Sequence, residues 1–325
     1  MGIDIKKVAV FGGGIMGPGI AQMMAFAGRD VVLYDISDEA LAKSRSTLHK
    51  GLETFAERGK ISSDDIESLF NRVSYTTDMA AALEGTQLVL EAVTENPQIK
   101  TAVYKQFDEL ADMSVILASN TSFMNIFEIM PERRLPRTLI AHWYAPANVI
   151  PLVEVCTEEK TEEEAAEAVM GVLKDAGKVA VRMKKFIKGY IVNRLQVCLN
   201  QEIFYLLDNG YCTPKDIDDA VKASFIPRAM VLGVVQKCDF GGVEISANNI
   251  RNKSYDPHPF DGVPRIMQKL IDAGEVGVQT GKGYYDYTGC ERTELLAQRD
   301  EMLFKAFDLE EEFMKTPLGK VRDDL

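Results

Sequence analysis

Between residues 6 and 183, short runs of β-branched and apolar residues alternate with stretches whose apolar positions recur at helical spacing. Apolar runs of about four to eight residues read as strands covered on both faces, and their alternation with helices predicts a Rossmann-type doubly wound α/β fold with a mostly parallel sheet. Strands are expected at KKVAVFG, VVLYDI, RVSYTT, LVLEAV, SVILASN, TLIAHWY, LVEVC and KVAVRM. Residues 38–71 are too many for a simple crossover. Gly59 and the Ser62/Ser63 pair in ERGKISSDD stop one helical segment and cap another, so a helical hairpin is expected as an insertion in the sheet domain.

Past residue 185 the strand alternation ends. Helical spacing continues there, broken by the turn signals DNGYCTPKD, YDPHPFDG and QTGKGYYDY. The chain is therefore divided into a sheet domain over 1–185 and a mainly α-helical domain over 186–325. Residues 291–325 are highly charged, with apolar side chains at Leu295, Leu296, Leu303, Phe307 and Phe313, the pattern of an amphipathic terminal helix with a frayed end.

Composition narrows the partners. A chain of 325 residues that is 46% hydrophobic buries a core large enough for about two domains. A formal charge of −12 disfavours nucleic acid and anionic membranes, and no apolar run approaches the roughly 20 residues that cross a bilayer. Five cysteines, at 156, 198, 212, 238 and 290, form no CxxC pair and no Cys/His cluster, so no metal is expected, and they read as reduced, mostly buried thiols of a cytoplasmic protein. The N-terminus runs directly into a strand pattern and lacks the segments of a signal peptide.

The first chemical signal is Gly12-Gly13-Gly14-Ile15-Met16-Gly17, which fits G-x-G-x-x-G between an apolar strand and a helix continuing through AQMMAFAG. Gly12 permits the tight turn, Gly14 lets backbone approach a pyrophosphate and Gly17 lets the helix pack on the strand, with the helix N-terminus facing the phosphates. The next strand ends at Asp35, where a carboxylate would accept the adenosine ribose hydroxyls and repel a 2′-phosphate. NAD is therefore the expected cofactor.

Three histidines are present, so each can be weighed for proton transfer near neutral pH. His49 falls in the hairpin and His258 in a Pro-rich turn, and both read as solvated. His142 lies at the carboxyl end of the strand TLIAHWY, where open parallel sheets place ligands, and Glu154 in the next strand-like run could return beside it as an orienting carboxylate. On spacing alone, a buried structural histidine and a surface glutamate account for the pattern better than a catalytic pair does. SNTSF, carrying Asn120 and Ser122, follows another strand and serves either the same sheet edge or a helix cap. Glu91, Glu95 and Lys100 could reach the cofactor or coat a helix N-terminus. Asn193 is a polar residue on an otherwise apolar helical face.

Taken in order, FGGGIMGPGIAQ, ERGKISSDD, LEAVTEN, ASNTS, AHWYAPANVIPLVEV, GYIVNRL and TGKGYYDY resemble the 3-hydroxyacyl-CoA dehydrogenase family over nearly the whole chain to about residue 288. The resemblance implies that His142 is the catalytic acid/base with Glu154 as its partner. It further implies that Ser122 and Asn193 hold the substrate oxygen, and that Glu95, Lys100, Asn120 and Ser122 line the nicotinamide-ribose region. The hairpin around residues 50–61 corresponds to the arm near the CoA adenine and phosphates. A homodimer and a place in fatty acid metabolism are implied as well.

Departures leave the substrate open. The commoner FFNP after the histidine is here Trp143-Tyr144-Ala145-Pro146, without the asparagine. IPLVEV stands for the more usual KLVEV, and residues 227–245 depart from the family's segment. These changes point toward relatives that oxidise free hydroxy acids, such as gulonate, carnitine or pyridine-carboxylate dehydrogenases. The loss of one polar contact can change discrimination by orders of magnitude. The expectation is NAD-dependent oxidation of a short-chain 3-hydroxyacyl-CoA, with a free hydroxy acid as the runner-up substrate and a catalytically silent, crystallin-type NAD-binding protein as the alternative from another class.

Overall fold

A computed structural model describes residues 2–241, 243–252 and 262–314. The chain separates into two compact units, one ending at Ile191 and the other beginning at Val192. His258 and most of the YDPHPFDG turn lie outside the described residues, as does the end of the charged tail.

The first unit contains β1 (Lys7–Phe11), α1 (Gly17–Phe26), β2 (Asp30–Tyr34), α2 (Asp38–Glu57), α3 (Ile66–Phe70), β3 (Val73–Thr76), α4 (Met79–Leu83), β4 (Leu88–Glu91), α5 (Pro97–Leu110), β5 (Ile116–Ser119), β6 (Thr138–Trp143), β7 (Leu152–Cys156), α6 (Glu163–Asp175) and β8 (Val179–Met183). The strands form one sheet in the order β3-β2-β1-β4-β5-β6-β7-β8. Every pairing is parallel except β6 with β7. All eight expected strands are present, in the expected fold. The order reverses between β1 and β4, the point at which an open α/β sheet leaves a crevice beyond its carboxyl edge.

The centre of the sheet is apolar on both faces, as covered parallel strands require: Val8 to Phe11, Leu88 to Leu90, and Leu139 to Ala141 are all buried. Tyr104, Phe107, Leu117 and Ile140 pack in one cluster on one side. α2 buries Leu41, Ser44, Leu48, Leu52 and Phe55, one side chain per turn along a single stripe. Ser37 caps it by accepting from the Ala40 amide at 3.2 Å. α2 approaches α1 so closely that a Cβ on Gly51 would stand 2.1 Å from the Gln22 amide oxygen.

The hairpin forms as the sequence predicts. Gly59 takes the left-handed φ of 67° past the end of α2. Ser62 and Asp65 then form a reciprocal capping box ahead of α3. His49 is partly exposed, and it also has partners. Its Nδ1 lies 3.3 Å from Glu53 and its Nε2 3.7 Å from Glu67, and its ring meets Phe70 edge-on, because α3 folds back along α2.

The second unit is helical: α7 (Val192–Asp208), α8 (Pro214–Ala220), α9 (Ile226–Leu232), α10 (Gln236–Gly241), α11 (Val243–Arg251), α12 (Arg265–Asp272) and α13 (Arg292–Met314). The Asp208 carboxylate at the end of α7 caps α12, accepting from the amides of Arg265 and Ile266 at 2.7 and 2.6 Å. A terminal helix, α13, forms where expected and buries Phe304, but it is not amphipathic as expected: its apolar residues are spread around the helix, and Met302 and Leu309 are exposed. The cysteines need a correction. All five are free, but Cys156 alone is buried, while Cys198 and Cys290 are exposed, because Cys198 shares the uncovered side of α7 with Leu195 and Leu199. No helix among the described residues is long and apolar enough to cross a membrane.

Candidate active site

At the crevice between β1 and β4, the glycine motif turns the chain into α1. Gly12 has φ 108°, and a Cβ there would stand 2.6 Å from the Ala92 carbonyl oxygen of the adjoining strand end. A Cβ on Gly17 would fall 1.9 Å from the Gly12 oxygen, so no other residue lets the helix start this close to β1. Gly14 meets nothing within 4 Å, which leaves its backbone open to the crevice. Gly12 and Gly17 thus make the tight turn and the close helix packing that their spacing predicts.

The crevice holds a cavity of about 720 Å³, lined by Gly12, Gly14, Ile15, Met16 and Asp35 on one side and by Glu95, Asn120 and Ser122 on the other. Ile15 and Ile36 project into it, 92% and 86% exposed, apolar groups that a flat ring system would cover. Asp35 is held in place by amides: Gly13 N–H donates to Oδ2 at 2.7 Å and Ser37 N–H to Oδ1 at 2.9 Å. Each carboxylate oxygen keeps a further lone pair for a hydroxyl donor. Among the described residues no lysine or arginine lines the cavity, and Asp35 and Glu95 do. An open glycine backbone, a helix N-terminus and a fixed carboxylate fit NAD and oppose a 2′-phosphate.

Beside the crevice, β6 and β7 pair antiparallel with His142 directly opposite Glu154. Such cross-strand neighbours carry side chains on one face with Cβ atoms about 5 Å apart. Both are buried, and Nδ1 of the imidazole lies 3.1 Å from Glu154 Oε2. A carboxylate can only accept, so Nδ1 carries the proton and Nε2 presents a lone pair in the neutral ring. Ser122 Oγ lies 3.2 Å from that Nε2. The other oxygen of Glu154, Oε1, accepts the Ile191 amide at 2.9 Å.

Ser122 is itself positioned by Glu95, whose Oε1 accepts from the Ser122 and Phe123 amides and from the Thr121 hydroxyl. Asn120 accepts the Trp143 amide at 2.8 Å, tying this loop to the end of β6. Glu91 and Lys100 do not coat a helix surface. α5 turns Lys100, Tyr104 and Phe107 inward at helical spacing, and Lys100 Nζ meets Glu91 Oε1 at 2.5 Å with both side chains buried. Tyr104 and Ser119 donate to Glu91 Oε2 at 2.7 and 2.6 Å. Burial, with Glu91 beside it, holds the Tyr104 hydroxyl well above its ordinary range, so it stays a donor. Lys100 also lies 3.6 Å from Glu95, so it neutralises charge beneath the cavity without lining it.

Two tyrosines that sequence reasoning did not single out pack on His142. The Tyr144 ring meets the imidazole edge-on at 4.6 Å and the Tyr190 ring lies 4.9 Å away. Tyr190 adopts a left-handed φ of 50°, which costs a side-chain-bearing residue about 1–2 kcal/mol. Its full burial and its hydroxyl bond to the Thr121 carbonyl at 2.7 Å hold it there. Strand alternation from His142 points to Tyr144, whereas no local pattern points to Tyr190. Asn193 sits half-buried on the first turn of α7, in the second unit. Among the described residues no group of three or more His, Cys, Asp or Glu side chains is placed to hold a metal ion.

Comparison with known proteins bears on the family and the fold. A family model described as 3-hydroxyacyl-CoA dehydrogenase, NAD binding domain, matches residues 7–186, and one described as the C-terminal domain matches residues 189–287. A probable 3-hydroxybutyryl-CoA dehydrogenase of Bacillus subtilis is 33% identical over 293 residues, covering 88% of this chain and 98% of that protein. The 5-formyl-3-hydroxy-2-methylpyridine 4-carboxylate 5-dehydrogenase of Mesorhizobium japonicum is 30% identical over 302 residues, covering 92% and 96%. A crystal structure of a dehydrogenase acting on that pyridine carboxylate, described as an NAD⁺-dependent dismutase, superposes with a TM-score of 0.82 at 29% identity, covering 95% of this chain and 99% of the other. An (S)-3-hydroxybutyryl-CoA dehydrogenase from Ralstonia eutropha superposes at 0.70 with 29% identity, covering 88% and 100%.

Proposed function

Because this chain belongs to the 3-hydroxyacyl-CoA dehydrogenase family and is an NAD-dependent dehydrogenase acting on CH–OH groups, we propose that it oxidises a short-chain 3-hydroxyacyl-CoA to the 3-ketoacyl-CoA. The observation that supports this most directly is the line Glu154–His142–Ser122, in which one nitrogen of the imidazole is held by a carboxylate and the other is open beside a hydroxyl. Bound NAD⁺ supplies a hydride acceptor at nicotinamide C4. His142 Nε2 takes the hydroxyl proton as hydride leaves the same carbon, and Glu154 stabilises the imidazolium that results. Ser122, on the same nitrogen, donates to the substrate oxygen and directs it at the base. In the reverse direction the imidazolium protonates the ketone.

Gly12, Gly14, Ile15, Met16, Gly17 and Asp35 hold the adenosine and pyrophosphate end, and Glu95 and Asn120 the nicotinamide-ribose end, with Lys100 supporting Glu95 from below. For Asn193, the role of second donor to the substrate oxygen rests on the family motif alone. The exposed lysines of the hairpin, Lys50 and Lys60, are proposed to meet CoA phosphates. A homodimer in the cytoplasm completes the reading, and sedimentation of monomer alone at micromolar concentration would contradict the dimer.

The substrate is tested by following NADH absorbance with 3-hydroxybutyryl-CoA and then with free hydroxy acids. Turnover of the CoA ester is expected. A second reading, a free pyridine-carboxylate or hydroxy-acid substrate, is favoured by the higher structural similarity to the pyridine-carboxylate enzyme. Turnover of a free acid with none of any CoA ester would establish that reading and end the first. The cofactor assignment is tested by Asp35→Asn, which keeps the side-chain shape and removes the charge. A hydrogen bond to a charged group contributes about 1.5–3 kcal/mol, so KM for NAD⁺ should rise roughly 10–100-fold while discrimination against NADP⁺ falls. An unchanged preference would remove Asp35 from the cofactor site.

A further inference from the structure

Tyr144 carries a polar group at this site that the proposed chemistry does not use. It lies two residues beyond His142, just past the end of β6, and its side chain turns to the carboxylate of Glu154 on β7, which His142 also meets. Its hydroxyl donates to Glu154 Oε2 at 2.7 Å, the same oxygen that faces His142 Nδ1. Burial, then the hydrogen bond and charge of Glu154, push the Tyr144 hydroxyl far above its usual range. It therefore stays a neutral donor at any working pH. A phenylalanine would fill the same space and keep the ring contact with His142, so packing does not account for the oxygen.

We propose that Tyr144 is a positioning residue that sets the proton affinity of His142 by competing for the charge of Glu154. The inference rests on the reading above in taking His142 as the group that holds the substrate proton. A carboxylate oxygen that already accepts a strong hydrogen bond stabilises a neighbouring cation less, because part of its charge is spent on the first donor. With Tyr144 present the imidazolium is less favoured, and the free base is available at lower pH. The donor also fixes the carboxylate plane from one side while the Ile191 amide fixes it from the other.

The other groups around the imidazole do not duplicate this. Ser122 faces Nε2 from the loop after β5 and is neutral. Tyr190, from the segment leading into α7, is pushed well above its ordinary range by burial and is neutral too. Cys156 on β7 is pushed up to about 12, first by burial, and carries no charge. Glu95 reaches the site through the Ser122 amide. The nearest charge is therefore Glu154, and Tyr144 donates directly to it.

The test is Tyr144→Phe in the full-length protein, read in two ways. The first needs no substrate: the His142 imidazole resonance is followed by NMR against pH, identified by its loss in His142→Ala. The midpoint is expected to rise by roughly 0.5–1 pH unit. The second is kcat/KM for oxidation against pH. Its acidic limb should move up by the same amount, a loss of about 3–10-fold below the limb, with KM for the substrate little changed. In a Glu154→Gln background, Tyr144→Phe should move neither midpoint, since no charge is left to compete for. Retained NADH binding shows that each variant is folded.

An unmoved midpoint with Glu154 intact, or an equal shift in the Gln background, overturns the proposal. A shifted NMR midpoint in a protein that oxidises no alcohol would uphold the action of Tyr144 on His142 and discard the dehydrogenase reading. The two failures are thus separable.

Discussion

Replacing His142 with alanine is expected to lower kcat for alcohol oxidation by about 10²–10⁴-fold, the range general acid–base catalysis supplies. NADH binding, read by fluorescence titration, should remain nearly intact. The separation follows from where the side chain sits. His142 touches Glu154, Ser122 and the rings of Tyr144 and Tyr190, and it does not line the cofactor cavity. Its removal leaves the glycine turn, Asp35 and the Asn120 tie to β6 undisturbed. An equal loss in kcat and kcat/KM would mark an interaction made in the transition state, whereas a rise in KM alone would mark uniform binding. Turnover at the wild-type rate in His142→Ala would remove the histidine from the chemistry and return it to a buried structural role.

How much of this was legible in the sequence depends on the range of the signal. Each strand was announced by its own apolar run. The cofactor crevice was announced by a local motif, because Gly12, Gly14 and Gly17 lie within a single turn and Asp35 one strand later. The pairing of His142 with Glu154 needed more. Strand spacing placed both near the sheet edge, but their contact depends on β7 returning antiparallel in a register that sets them opposite. A slip of one residue would turn Glu154 to the other face. Tyr144 was legible in principle through its two-residue offset from His142. Tyr190 was not, since it reaches the imidazole only through a left-handed backbone and a hydroxyl bond to Thr121, 69 residues away. The buried character of Lys100 was missed for a different reason: lysine is rarely buried unless paired, and its partner Glu91 is on another element.

That pair carries the second large effect. Replacing Lys100 with methionine is expected to destabilise the sheet unit by about 3–5 kcal/mol, the cost of leaving a buried carboxylate without its counter-charge. The hydrogen bonds from Tyr104, Ser119 and the Val93 amide persist in the variant, but three neutral donors do not replace a cation. At about 2–4 °C per kcal/mol, the melting temperature should fall by roughly 6–20 °C. Combining Lys100→Met with Glu91→Gln should recover most of the loss, since an amide in the same place carries no charge to bury. Lys100 also faces Glu95, which holds the Ser122 amide, so the single variant should lower kcat as well as stability. If Lys100→Met melts with the wild-type protein, the ion pair contributes nothing net and the inward turn of α5 rests on Tyr104 and Phe107 alone. If the double variant recovers stability but not kcat, Lys100 serves the site through Glu95, independently of the fold.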